Sequence, residues 1–394
     1  MIGFEIFRDL QREATEWRRH LHQNPELDYR LPDTAQFVAE KLASFGVDHI
    51  ETGIAETGIV AIVQGKGGDG PTVALRADMD ALPIVEASGK PWASKKPGRM
   101  HACGHDGHTA MLLGAAKHLA RTRNFKGSVA LIFQPAEEIE LPSGGLKMVQ
   151  GGIMDRFCIS QVFGMHNRPG MEIGTFAICH GSIMASQDDF DIIVKGKGGH
   201  AASPSGTIDP VVIAAQIILG LQTLISRKTD PRDSLVISVT KLKAADAYNV
   251  IPDNVEIAGT VRALSSELRD FAEREVFASA QGIARGFGAD IEFIYRRSVP
   301  ATFNHAKETN FAITAARNLV GAASVDDKVR MSMGAEDFAY MLEARPGAMI
   351  LLGNGPSPSL HNPAYDFDDE ALAYGIGFWI SLVETVLGSE RIRT

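Results

Sequence analysis

The sequence predicts an α/β protein, a mixed and mostly parallel sheet interrupted by an inserted ferredoxin-like α+β domain, and three observations carry that prediction. Short apolar runs recur at Gly58–Val63, Thr72–Leu75, Val129–Phe133, Gln161–Met165 and Ala348–Leu352, with helix-spaced segments among them. Between Ala185 and about Val299 the texture changes to the order β-α-β-β-α-β, that of a ferredoxin-like sandwich. The first pattern then resumes, so the block is an insert. With 394 residues and 45% hydrophobic content the chain can bury two or three domains' worth of core. The parts are expected at 1–184, 185–299 and 300–394.

From the N-terminus, interleaved charged and apolar residues predict an amphipathic helix over Glu5–His22. It stops at Asn24-Pro25, because proline lacks the N–H and clashes with the preceding turn. Arg18, Arg19, His20 and His22 are read as a solvated or packed face of this helix. A second helix, Thr34–Phe45, leads through Gly46 into the first two strands. The stretch GKGGDG between those strands, Gly65–Gly70, is read as a hairpin turn, since no Lys-Ser or Lys-Thr closes it into a phosphate loop. Thr109–Thr122 has helical spacing. In the insert, strands are expected at Asp188–Val194, Ser234–Leu242, Asn254–Arg262 and Ile291–Tyr295, with helices at Asp209–Ser226 and Ser266–Ala284. Phe311–Val320 belongs to the resumed pattern.

Composition excludes several classes. A formal net charge of -9, with no run of Lys or Arg, argues against a nucleic-acid surface. Three cysteines are too few, and odd in number, for a disulfide framework, and they predict a reducing cytoplasm. The N-terminal segment has no apolar core of a secretory signal, and nowhere do about twenty apolar residues run together, so no membrane is expected as a partner.

The chemistry centres on Met100–Met111, MHACGHDGHTAM. Cys103 and His105 flank Gly104, where the backbone can bend sharply and aim both side chains at one point. A thiolate with an imidazole suits zinc, manganese, cobalt, nickel or iron better than magnesium or calcium, which prefer oxygen shells. Asp78 and Asp80 follow an apolar strand; each could ligate metal, orient a ligating His from behind, or cap the turn. Glu137 and Glu138 follow another strand. Adjacent carboxylates cannot point the same way, which invites one to bind metal and the other to accept a proton. His166 ends a third strand, and His361 lies in the loop after a fourth. A parallel sheet gathers such loops at one rim, and together they make a site for one or two transition metals plus a base. In the insert, His200 in Gly198–Ala202 is either a solvated loop histidine or a lid group that steadies an oxyanion.

The segments RADMDALP, MHACGHDGHTAMLLGAA, FQPAEE, MHN, GGHAASP, NVIPD, GAEDF and HNPAYDFDD occur in order along nearly the whole chain. Together they resemble the aminoacylase/carboxypeptidase metallohydrolase superfamily, and within it the N-acyl-amino-acid amidohydrolases that include hippurate and auxin-conjugate hydrolases. The resemblance implies a metal-dependent hydrolase that cleaves N-acyl amino acids to a carboxylic acid and a free amino acid. It implies two divalent transition-metal ions per subunit, manganese, zinc, cobalt or nickel. Cys103 would bridge them, with His105 and His166 on one and Glu138 and His361 on the other. Glu137 matches the general base. A His stands in the wider superfamily where this chain has Asp78, so Asp78, like Asp80, is expected to support the ligands rather than bind metal. His200 resembles the lid histidine that reaches an active site across a dimer interface, Asn249 and Arg262 are candidates for the substrate carboxylate, and a homodimer or dimer-based oligomer is implied, with the insert as lid and dimerisation domain. Competing readings are a metallo-dipeptidase or carboxypeptidase, a cysteine amidase using Cys103 with His105 or His108, and a non-catalytic metal-containing binding protein, which has no use for Glu137.

Overall fold

The computed structural model of the chain describes residues 4–388 apart from residue 140. They form two compact units. One holds the chain up to Ile183, Phe303–Arg330 and the chain from Asp337; the other holds Met184–Thr302 and Met331–Glu336. The insert thus extends past the expected residue 299, and Met331–Glu336, expected in the catalytic part, clusters with it.

The first unit is organised by an eight-stranded sheet. Its four central strands are parallel and run Ser128–Gln134, Thr72–Asp78, Ile159–Arg168, Gly347–Gly353 across the sheet, with Asp78 opposite Gln134 and His166 opposite Leu351. Their C-terminal ends therefore lie along one rim. These strands are buried almost end to end, as a parallel sheet covered on both faces requires. Gly58–Gln64 and His49–Ile54 extend one side antiparallel, while Phe176–Ala177 and Val325–Asp326 extend the other.

The reading of Gly65–Gly70 as a hairpin turn is corrected, because its flanking strands do not pair: Ser128–Gln134 lies between them. The stretch instead runs against 123–127, with Gly65 N–H donating to Gly127 O at 2.9 Å and Gly67 N–H to Phe125 O at 3.0 Å. A Cβ on Gly65 would lie 1.9 Å from Phe125 O, so glycine here serves close backbone approach. The strand His49–Ile54 was not anticipated. Its half-exposed residues show no clean alternation.

The helix His105–Thr122 starts four residues earlier than its apolar spacing suggests, and 15 of its 18 residues are buried. It is wedged among the helices Phe4–Gln23, Pro32–Phe45 and Ala371–Leu387 and the central strands. Its first turn, His105–His108, is polar or glycine yet buried, so an apolar pattern does not reach it.

The second unit is a four-stranded antiparallel sheet in the order Leu235–Lys243, Asn254–Ala263, Asp188–Lys195, Asp290–Arg297. The helices Pro210–Thr223 and Ser266–Gly286 cover one face, and the strands alternate buried with half-exposed residues accordingly. Pro210–Lys228, a helix continued by a π turn, does have the length and hydropathy of a membrane span, which corrects the expectation that no stretch has them. In this fold its Ile213, Ile217 and Leu221 pack into the unit's core instead.

Candidate metal centre

Each rim residue is delivered by local structure. Gly104 has φ 99° and ψ 12°, a left-handed bend that ends the approach of Cys103 and starts the helix at His105. A Cβ there would lie 2.3 Å from Asn167 Oδ1, so space as well as conformation reserves the position for glycine. Ala136, with φ 56°, turns the chain before Glu137 and Glu138, and His361 itself has φ 63°. Left-handed non-glycine residues are sparse and cost about 1–3 kcal/mol each, so two of them beside one cluster mark a place where the surroundings impose geometry.

The ligand-type atoms converge. Cys103, His105 and His166 form one group, and Cys103, Glu138 and His361 another, with the donor atoms of each group within 4.8 Å of one another. Cys103 belongs to both. Its Sγ is 3.4 Å from His166 Nε2, and Glu138 Oε1 is 3.2 Å from His361 Nε2. Glu137 Oε2 approaches His105 Nε2 to 3.9 Å.

Hydrogen bonds fix how the rings present themselves. His105 Nδ1–H donates to Asp80 O at 2.8 Å and His166 Nδ1–H to Asn167 O at 2.7 Å. A carbonyl only accepts, so both rings carry a proton on Nδ1 and turn Nε2 to the cluster. The aspartates stand behind. Asp78 accepts from Arg76 Nη1 at 2.7 Å and pairs with His108 Nδ1 at 2.6 Å, which occupies both its oxygens; Asp80 Oδ2 accepts the Glu138 backbone N–H at 3.0 Å.

The electrostatics call for cations. Burial alone would lower His105, but Asp78, Asp80 and Glu138 outweigh it and raise it to about 10. Burial and the charges of Glu138, Glu137 and Asp78 push the Cys103 thiol well up. Burial alone would raise Glu138, but His361 and His105 outweigh it and hold its carboxyl below the usual carboxylate range. Burial lowers His166 to about 3, so it stays a neutral ligand. Buried negative charge therefore surrounds a thiol and two imidazoles, and His105 Nε2 has no hydrogen-bond partner among the described residues. This mixed sulfur, nitrogen and oxygen set fits borderline transition metals, and a divalent cation would stabilise the thiolate that burial disfavours.

Three residues escaped the sequence reading as parts of this centre. His108, one turn beyond His105, lies between Asp78 and Asn167, with Nε2 2.8 Å from Asn167 Oδ1. Asn167 in turn contacts the Tyr365 hydroxyl at 2.6 Å. Only the helical i, i+3 spacing of His105 and His108 hinted at a shared face. His108 and His105 were also the expected partners of a nucleophilic Cys103, whereas the ring nearest its sulfur is His166.

In the second unit, His200 pairs across a two-stranded ladder with Val250, and Ala201 N–H donates to Asn249 O at 3.1 Å, which brings His200 and Asn249 together. Ala202 N–H donates to His200 Nδ1 at 3.0 Å, leaving the exposed Nε2 to carry the proton as a donor. Arg262 is half-buried and donates to Thr260 Oγ1 and to Val261 O.

Residues 74–385 match the family described as Peptidase family M20/M25/M40. The chain is 40% identical over 371 residues to an N-acetylcysteine deacetylase of Bacillus subtilis, covering 94% of this chain and 96% of that one. It is 40% identical over 375 residues to a hippurate hydrolase of Campylobacter jejuni, covering 95% and 96%. Among solved structures, a dinuclear metal-binding peptidase of the M20 family from Bacillus subtilis superposes with a TM-score of 0.86 at 36% identity, covering 97% of this chain and 99% of the other.

Proposed function

The chain belongs to peptidase family M20/M25/M40, and from that premise we propose that it is a metal-dependent amidohydrolase that cleaves N-acyl amino acids to a carboxylic acid and a free amino acid. The observation that carries this reading is Cys103 shared between two ligand groups with the Glu137 carboxylate beside them.

Cys103, His105, His166, Glu138 and His361 would hold two divalent ions. When bound, such ions supply Lewis acidity and bring the pKa of water towards about 7. Glu137 takes a proton from the attacking water and returns it to the amine nitrogen as the C–N bond breaks. Asp80 holds His105 through its carbonyl and the Glu138 backbone through its carboxylate, so the turn carrying Glu137 and Glu138 is oriented from behind. The Nε2–H of His200 supports a role in donating to the carbonyl oxygen as it gains charge. Asn249 and Arg262 are assigned to the substrate carboxylate on sequence resemblance.

Manganese, zinc, cobalt or nickel is the proposed metal, on the donor set. A cytoplasmic location is proposed from the free thiols of Cys103, Cys158 and Cys179. A homodimer is proposed from the edge strand Leu235–Lys243 and the exposed Val211, Val212 and Leu219 of the neighbouring helix.

The Cys103–His166 contact at 3.4 Å is the one observation a cysteine amidase would use. Against it stands the thiol itself, held protonated by burial and carboxylates. The deciding experiment strips the enzyme with chelator, resupplies each metal and follows ninhydrin-detected amino-acid release from N-acyl amino acids and dipeptides. Metal-restored release from acyl amino acids is expected. Release from dipeptides alone would make it a peptidase, and activity indifferent to stripping would favour the cysteine mechanism.

A further inference from the structure

A cavity of about 510 Å³ in the first unit is lined by Leu27, Asp28, Tyr29, Arg30, Glu56, Arg99 and Ile139. Two chain connections tie its walls to segments that carry the metal centre. Ile139 directly follows Glu138. Leu27 forms a bridge with Ala81, and Glu26 O accepts the Ala81 N–H at 2.8 Å, so the opposite wall is tied to the residue after Asp80. Tyr29 is within electrostatic reach of the centre's surroundings: burial, then the charges of Asp337, Glu56 and Asp80, hold its hydroxyl protonated.

The lining has two characters. Leu27, Ile139 and the Tyr29 ring are apolar or aromatic, and the Tyr29 hydroxyl is spent on Pro142 O at 2.5 Å, which leaves ring surface rather than a free donor. The charged members are Arg30, Arg99, Asp28 and Glu56. Glu56 is neutralised by Lys147 at 3.2 Å, whose ammonium also sits 3.7 Å over the Tyr29 ring. Arg30 and Arg99 make no ion pair among the described residues, so with Glu56 paired the lining carries two arginines to one aspartate, an excess of positive charge. Planar guanidinium forks match carboxylates in geometry as well as charge.

We propose that this cavity is the acyl subsite and that it selects acyl groups with a short apolar stem ending in a carboxylate, which Arg30 and Arg99 hold. This rests on the amidohydrolase reading above. In such a substrate the amide sits at the metal centre, the stem crosses Leu27, Tyr29 and Ile139, and the distal carboxylate reaches the arginines.

The test compares kcat/KM of the metal-loaded enzyme for N-succinyl and N-glutaryl derivatives of one amino acid with the N-butyryl and N-pentanoyl derivatives of equal chain length. Wild type is expected to favour the acidic member of each pair, and Arg30→Gln or Arg99→Gln to cut that acidic-to-neutral ratio about tenfold, from the loss of a charge-assisted hydrogen bond. Thermal-shift protection by free glutarate but not pentanoate, lost in the double variant, gives a second reading independent of turnover. A wild type that prefers the neutral acyl groups, or a ratio unmoved by both substitutions, overturns the subsite while leaving the amidohydrolase intact. Equal losses on acidic and neutral substrates would assign the arginines to the α-carboxylate common to both and overturn it too. Hydrolysis of none of the four, with metal bound, would bring down the amidohydrolase reading and the subsite with it.

Discussion

His105 donates its Nδ1 proton to the backbone carbonyl of Asp80 across 2.8 Å, and that bond decides which nitrogen of the ring faces the cluster. His166 makes the same choice through Asn167 O. Two imidazoles from different elements thus turn Nε2 to the cluster before any cation arrives, His166 already neutral and His105 with an Nε2 proton for a cation to displace, so the rings need little reorientation for binding.

Glu137→Gln is expected to retain the wild-type metal content and lose about two to four orders of magnitude in kcat, the usual worth of a positioned general base. Elemental analysis and steady-state kinetics on the same preparation check this. Turnover near wild type would remove Glu137 from proton transfer.

Cys103 belongs to both ligand groups, so Cys103→Ser is expected to weaken both metal positions together. The measurement is metal stoichiometry after dialysis against a weak chelator. Two ions per subunit, held as in wild type, would take the cysteine out of the ligand set.

His108 spans Asp78 and Asn167, and Asn167 O fixes the His166 ring. His108→Leu is expected to lower metal affinity about 10–100-fold, the cost of losing a supporting partner behind a ligand, with kcat recovering as metal is raised. Competition with a chromogenic chelator reads the affinity directly; a wild-type value would reduce His108 to packing.

His118 lies on the same helix, away from the cluster. Burial first, and Arg121 second, lower it to about 4 from an ordinary 6.5. A depressed histidine favours the folded state when neutral, so its contribution is complete above about pH 6.5, declines as pH falls towards 4 and is gone below that. At about 1.4 kcal/mol per unit the ceiling is a few kcal/mol. His118→Gln is expected to flatten the fall in urea midpoint between pH 6.5 and 4. An identical pH profile for variant and wild type would contradict the assignment.

Much of this centre is legible in the chain because a parallel sheet obeys a simple rule. Strands that run the same way end on the same side, so Asp78, Glu137, His166 and His361, each following an apolar run, had to share a rim. The Cys103-Gly104-His105 spacing is equally local, since one left-handed glycine suffices to bring the two side chains round. The β-α-β-β-α-β order likewise needs only runs of hydrophobic residues at period 2 or 3.6 to be recognised.

Long-range packing decided the rest. Gly65–Gly70 has the composition of a hairpin turn, yet Ser128–Gln134 lies between its flanking strands, because turn residues permit a reversal without choosing which strands pair. The Nδ1 protons on Asp80 O and Asn167 O leave no mark on residue type, since backbone carbonyls are the same in every residue, and the side chains of the His108–Asn167–Tyr365 chain lie far apart in sequence. Residue types and spacing carried the list of donors; the folded backbone decided the direction in which each donor points.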